Sequence, residues 1–224
     1  MIGGEKMHFQ FLIEDKSSAE LLKILMEKVA TDYQDITYDY KYFKGIGGFT
    51  KKNTVKETKT GKLLNDLATY LRAFDKKLQY IDAAIFVVLD NDERDTDAFR
   101  AELEEVAVKN RITIDHVFCI AIEEVEAWLL GDTMALQTAY PSLKMQVLHS
   151  YVQDSICGTW ELLADAVYPG GILRFKKDCP TYMEIGKYKS EWARRIGQYM
   201  DLKANQSPSF QMFMEEIYRR LPAA

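Results

Sequence analysis

Three apolar segments of this chain each stop abruptly on a carboxylate, and that feature limits the possible folds most. The sharpest is residues 85–92, IFVVLDND, where five apolar residues give way to Asp90-Asn91-Asp92. Such a run reads as a strand buried on both faces, with its C-terminal end delivering acids to the sheet edge. Residues 7–14, MHFQFLIE, place Phe9, Phe11 and Ile13 at alternate positions and end on Glu14. Residues 114–122 form a further apolar strand and run straight into Glu123-Glu124-Val125-Glu126. Open α/β sheets bind ligands in the crevice beyond the carboxyl ends of their strands, where all these acids would gather.

The intervening segments carry a helical period. Ser17 and Glu20 form an S-x-x-E capping box ahead of the stripe Leu21, Leu22, Leu25, Met26 and Val29. The positive end of that helix would favour an anion at the same sheet edge. Residues 36–43, ITYDYKYF, alternate as a second strand, and Leu63, Leu64, Leu67, Tyr70, Leu71 and Phe74 mark another amphipathic helix. Asp95 or Thr96 caps a helix reaching about Val108. Strand and helix alternate throughout, which predicts an α/β fold: a Rossmann-like, largely parallel sheet with helices on both faces. Beyond Gly131 the pattern turns helical, over 134–151 with a break at Pro141, over 159–167, and in a last helix capped by Ser207 with Pro208 in its first turn. The expected division is an α/β domain over 1–133 and a helical extension over 134–224 packed on it.

The chemistry-bearing residues follow from that frame. Asp90 and Asp92 lie two apart, so an extended backbone points both to one side, a geometry for holding a hard cation. If a helix begins after the fourth strand, Glu123 and Glu126 lie about one turn apart on one face; the competing reading is charge complementing a helix N-terminus. Lys44-Gly45-Ile46-Gly47-Gly48 breaks the second strand and opens a basic loop containing Lys51 and Lys52, read either as phosphate contacts or as a solvated connector. Lys187, Lys189, Arg194 and Arg195 read as a solvated helix face, with an addition to a phosphate-binding surface as the alternative. A formal charge of -5 argues against a protein that coats nucleic acid through bulk charge. Cys119, Cys157 and Cys179 lack metal-site spacing and are expected as reduced thiols in the cytoplasm. No apolar run approaches the roughly 20 residues of a membrane span, and no Walker A sequence is present, so an ATP-driven step would need a separate ATPase.

Glu14 after the first strand, with Asp90-Asn91-Asp92 after a later one, resembles the Toprim domain of topoisomerases, bacterial primases and overcoming-lysogenization-defect nucleases. The likeness covers roughly residues 7–130. It implies that Glu14 acts in acid-base chemistry, that Asp90 and Asp92 hold magnesium or manganese, and, by a looser match, that Glu123 and Glu126 correspond to additional metal-binding acids of the nuclease branch. It implies a metal-dependent nuclease or related phosphotransfer protein acting on DNA or RNA. EDKS at 14–17, KGIGG at 44–48, AIEEVEAWLLGD at 121–132 and NQSPSF at 205–210 are similar to a group of bacterial Toprim-like proteins, some encoded beside an ATPase. The chain departs from the Toprim pattern at Asp15, where glycine usually follows the glutamate; an acid there alters the turn or adds a ligand. The alternative reading is a non-catalytic module in which the acids bind magnesium and a nucleotide, or dock a partner.

Overall fold

The structure, a computed structural model, describes residues 6–49, 61–156 and 158–221. Four strands, β1 (Met7–Ile13), β2 (Ile36–Tyr42), β3 (Ala83–Asp90) and β4 (Asp115–Ala121), form a sheet of order β2-β1-β3-β4, parallel at every pairing. Helices α1 (Lys16–Asp32), α2 (Leu63–Leu78) and α3 (Thr96–Lys109) make the crossovers. The fold is therefore an α/β, Rossmann-like arrangement. After β2 the chain returns to the other side of β1, so the β1–β3 seam is the topological switch point where the ends of neighbouring strands leave a crevice.

β3 is buried at every position, and its two faces feed two cores. Ile85, Val87 and Leu89 pack with Leu67 and Leu71 of α2 and with Phe99 and Leu103 of α3. Ala84, Phe86 and Val88 face α1 and the C-terminal helices. Those helices are α4 (Glu126–Leu130), α5 (Thr133–Ala139), α6 (Met145–Leu148), α7 (Thr159–Val167), α8 (Gly171–Asp178), α9 (Tyr182–Gly197) and α10 (Pro208–Tyr218). Phe213 of α10 lies 6.1 Å from Phe86 and stacks on Trp128 at 5.0 Å, so one aromatic cluster joins sheet, α4 and α10. Burying each such ring is worth roughly 1.5–3 kcal/mol.

Some local expectations need correcting. The first helix is not started by a Ser17–Glu20 capping box: it begins at Lys16, and Asp15 is the N-cap, accepting hydrogen bonds from Ser18 N (2.8 Å) and Ser17 Oγ (2.7 Å). A carboxylate thus already occupies the anion-favouring end of α1. The helix expected to carry Lys187, Lys189, Arg194 and Arg195 is α9, a long helix opened by a true capping box of Thr181 and Glu184. It packs along α1, where Gly197 lets Leu21 approach; a Cβ there would fall 2.9 Å from Leu21 Cδ1. Among the described residues no helix is long and apolar enough to cross a membrane.

Candidate functional site

Glu14 and Asp90 end neighbouring parallel strands at the same sheet edge. Glu14 N donates to Val88 O (3.0 Å), continuing the β1–β3 ladder one residue past β1. Asp90 N in turn donates to Glu14 Oε2 (3.0 Å), so the glutamate side chain closes over the strand end beside it. Asp90 is 8% exposed, and its Oδ1 accepts from Val125 N (3.0 Å), which ties β3 to the turn leading into α4. Glu14 Oε1 and Asp90 Oδ2 have no hydrogen bond among the described residues.

The next acid comes from α4. Glu126 is 3% exposed, and its Oε2 lies 3.0 Å from Lys189 Nζ. The same ammonium reaches Glu124 Oε1 at 3.1 Å. Lys189 was expected on a solvated helix face and is instead driven into the protein with 14% of its side chain exposed. The reason is the packing of α9 on α1 and α4, which turns this position of the helix toward the crevice. The functional signal was hidden in the α9 pattern, since a lysine among apolar helix positions looks the same in sequence whether its head meets water or buried acids.

Burial dominates the electrostatics. It pushes the Glu14 carboxyl up to about 7, against the Asp90 N–H bond and with help from Asp15 and Asp92. The Asp90 carboxyl is raised well above its ordinary range, first by burial and then by Glu14. Glu126 touches an ammonium and is still raised to about 7, because burial outweighs its share of a charge divided with Glu124. For Lys189 burial works against the charged form, but Glu126, Glu124, Asp90 and Asp15 together hold its proton well beyond the usual lysine range. The crevice therefore holds more carboxylate than its buried cation neutralises, and it keeps protons near neutral pH.

Other predicted residues fall differently. Asp92 does not follow Asp90 along an extended backbone: its φ is +51°, and its half-exposed carboxylate pairs with Arg94 Nη1 at 2.6 Å. Its charge still acts on Glu14. Glu123, also left-handed with φ +60°, precedes α4 and shares no helical face with Glu126. Both its oxygens accept backbone N–H groups at the start of α7, from Gly158 (2.8 Å) and Thr159 (2.9 Å). That is the helix-capping alternative, realised on another helix. Lys44 is exposed just past β2 on the same sheet edge, and Gly45 N donates to Glu14 O (3.0 Å). The close approach allowed by Gly47 is to α2, since a Cβ there would meet Asn65 Oδ1 at 2.4 Å. Lys51 and Lys52 lie outside the described residues.

Oxygen donors of this kind suit a hard cation. Among the described residues, Glu14 and Asp90 each keep an oxygen without a hydrogen bond, and Asn91 Oδ1, between the two aspartates, is buried without a partner. Yet among the described residues no group of three or more His, Cys, Asp or Glu is arranged as a metal-binding set. The donor chemistry fits magnesium; completing a ligand set needs Asp92 to leave Arg94. No protein-family profile, curated protein or solved structure matches this chain.

Proposed function

We propose that this is a metal-dependent phosphodiester-cleaving protein of Toprim type, acting on DNA or RNA from the crevice at the β1–β3 switch point. One observation carries the reading: Glu14 and Asp90 meet across that seam, burial raises both carboxyls, and a buried lysine stands behind them. Magnesium or manganese, held by Asp90 and Asp92, would supply polarisation of the phosphodiester and activation of water. Glu14, half-neutralised near pH 7, suits proton transfer in either direction, because catalytic groups work best near the operating pH. Lys189 keeps Glu124 and Glu126 in place and offsets charge behind Asp90. Lys44 is positioned on the same edge for a backbone phosphate. The free thiols Cys119 and Cys179 suit the cytoplasm, and energy coupling, if used, comes from a separate ATPase.

A second reading, a non-catalytic docking or magnesium-nucleotide module, is favoured by the ion pairing already present: Lys189 and Arg94 hold several of the acids. The two are separated by incubating the protein with single- and double-stranded DNA and RNA, with magnesium or manganese. The expected result is metal-dependent cleavage that falls at least about 100-fold in Asp90→Asn, as loss of a group central to charge stabilisation does. Cleavage that survives Asp90→Asn and Glu14→Gln together overturns the site. Absence of cleavage, with manganese still bound beside Asp90 in crystals, leaves the module.

A further inference from the structure

We propose that a second cleft, on the neighbouring side of α9, is a binding subsite for a nucleotide base of a single-stranded substrate, an assignment that as part of a cleavage site rests on the phosphodiester reading. The cleft measures about 750 Å³ and lies between the end of α5, the α7–α8 turn and α9. That volume is within the range of small-molecule sites and holds a nucleotide with room for its sugar.

Its lining is aromatic and charged in balance. The Arg195 guanidinium lies 4.2 Å from the centre of the Tyr140 ring, with Nε fixed by Ala139 O at 2.9 Å. This makes an oriented, exposed planar cation, and bases stack on such guanidinium planes as they do on aromatic rings. Tyr168, from the α7–α8 turn, and Tyr188, on α9 with Arg195, add an edge-to-face ring pair to the lining. Arg174 is already engaged with Asp178 at 2.6 Å. Glu191 is exposed and makes no hydrogen bond or ion pair among the described residues. Two guanidinium groups are thus matched by two carboxylates, which disfavours a bare anion. A flat heterocycle carrying both donors and acceptors suits this lining, and a free carboxylate best accepts the paired N–H groups of guanine.

Helix α9 links the cleft to the acids. Tyr188, Glu191 and Arg195 face the cleft, whereas Lys189, adjacent to Tyr188, reaches Glu124 and Glu126. The cleft and the acids therefore lie on adjoining sides of one helix. A paired base is stacked in its duplex, which restricts the cleft to single-stranded or extruded bases.

The test is calorimetric titration of the metal-free protein with guanosine and uridine monophosphates, run on the wild type, Arg195→Lys and Glu191→Gln, with circular dichroism to verify folding at these exposed positions. The wild type is expected to bind the guanine nucleotide more tightly. Arg195→Lys should weaken both nucleotides about tenfold through loss of the planar fork, and Glu191→Gln should weaken guanine about tenfold and narrow its lead over uracil. No binding by the wild type, or binding unchanged in both variants, overturns the subsite. A cleavage assay on single-stranded oligonucleotides keeps the two proposals apart. Cleavage without this binding removes the subsite and leaves the nuclease, whereas the predicted binding without cleavage leaves the subsite and removes the nuclease.

Discussion

Two regions of this molecule shelter carboxylates from water, and they treat them in opposite ways. In the helical joints each is surrounded by donors. Asp132 accepts from Ala135 N (2.9 Å) and Asp201 N (2.8 Å). Asp154 accepts from Ser207 Oγ (2.7 Å) and Ser209 N (2.6 Å), and Glu123 takes two N–H groups of α7. In the crevice Asp90 and Glu126 are buried and Glu14 is half-buried, and they crowd one another around one buried ammonium, with burial raising all three carboxyls. Acids with full sets of donors are structural; acids left short of donors and close together are poised to bind or react.

The largest expected effect breaks that balance from the cationic side. Lys189→Met removes the ammonium shared by Glu124 and Glu126 and leaves buried acids facing each other. At pH 8 this should destabilise the protein by about 3–5 kcal/mol, the usual cost of orphaning one partner of a buried pair. Urea denaturation measures it. A more stable variant at pH 8 would mean that the crevice acids are neutral without help, and the comparison above would lose its basis.

Some of this organisation could be read in the sequence, and the reasons differ by residue. The strands are legible from their patterns, β1 and β2 by alternation and β3 and β4 by apolar runs, and the gathering of Glu14 and Asp90 at one edge follows from strands that end on acids. Asp92 and Glu123 were misplaced because each leaves its strand through a left-handed backbone, which a non-glycine residue seldom adopts and which no side-chain pattern announces. The burial of Lys189 was missed because its partners, Glu124 and Glu126, lie at remote positions in the chain. Asn205 and Gly131 show the same limit: Asn205 Nδ2 donates to Trp128 O (2.7 Å), and a Cβ on Gly131 would fall 2.1 Å from Asn205 Oδ1. The 121–132 and 205–210 segments are thus neighbours in space, a relation absent from either segment alone.

Stability should also depend on pH. Glu126 and Glu14 are raised from an ordinary value of 4.5 to about 7. Between those limits the folded protein holds protons that the unfolded chain has released, so stability falls as pH rises through the window and stays lower above it. Without metal, the loss between pH 5 and pH 8 should be on the order of 2–3 kcal/mol, a discounted conversion of these coupled shifts. Added magnesium should reduce it if it binds these acids. Stability that rises over the same interval would show that the crevice carboxylates are as well satisfied as Asp132.

A smaller effect sharpens the other half of the comparison. Asp132→Ala removes the N-cap of α5 and the acceptor of Asp201 N at once. The expected destabilisation is about 2 kcal/mol, from one lost cap and one buried donor left open. Magnesium should not change it, and a thermal-shift titration with and without the metal checks this.

The smallest effect is the most diagnostic. In Asp90→Asn the Oδ1 acceptor for Val125 N can be kept, so the bond tying β3 to α4 survives. What changes is charge: the group that burial and Glu14 oppose becomes permanently neutral. At pH 8 without metal, stability should therefore stay level or rise by up to about 1 kcal/mol, since removing one of two crowded carboxylates relieves repulsion that a lone hydrogen bond does not offset. A helical-joint acid responds the other way, because its donors lose a charged acceptor. Chemical denaturation at pH 8 and pH 5 decides between them. A loss of 2 kcal/mol or more in Asp90→Asn, equal at both pH values, would place Asp90 with the structural acids and take the crevice out of consideration as a reactive site.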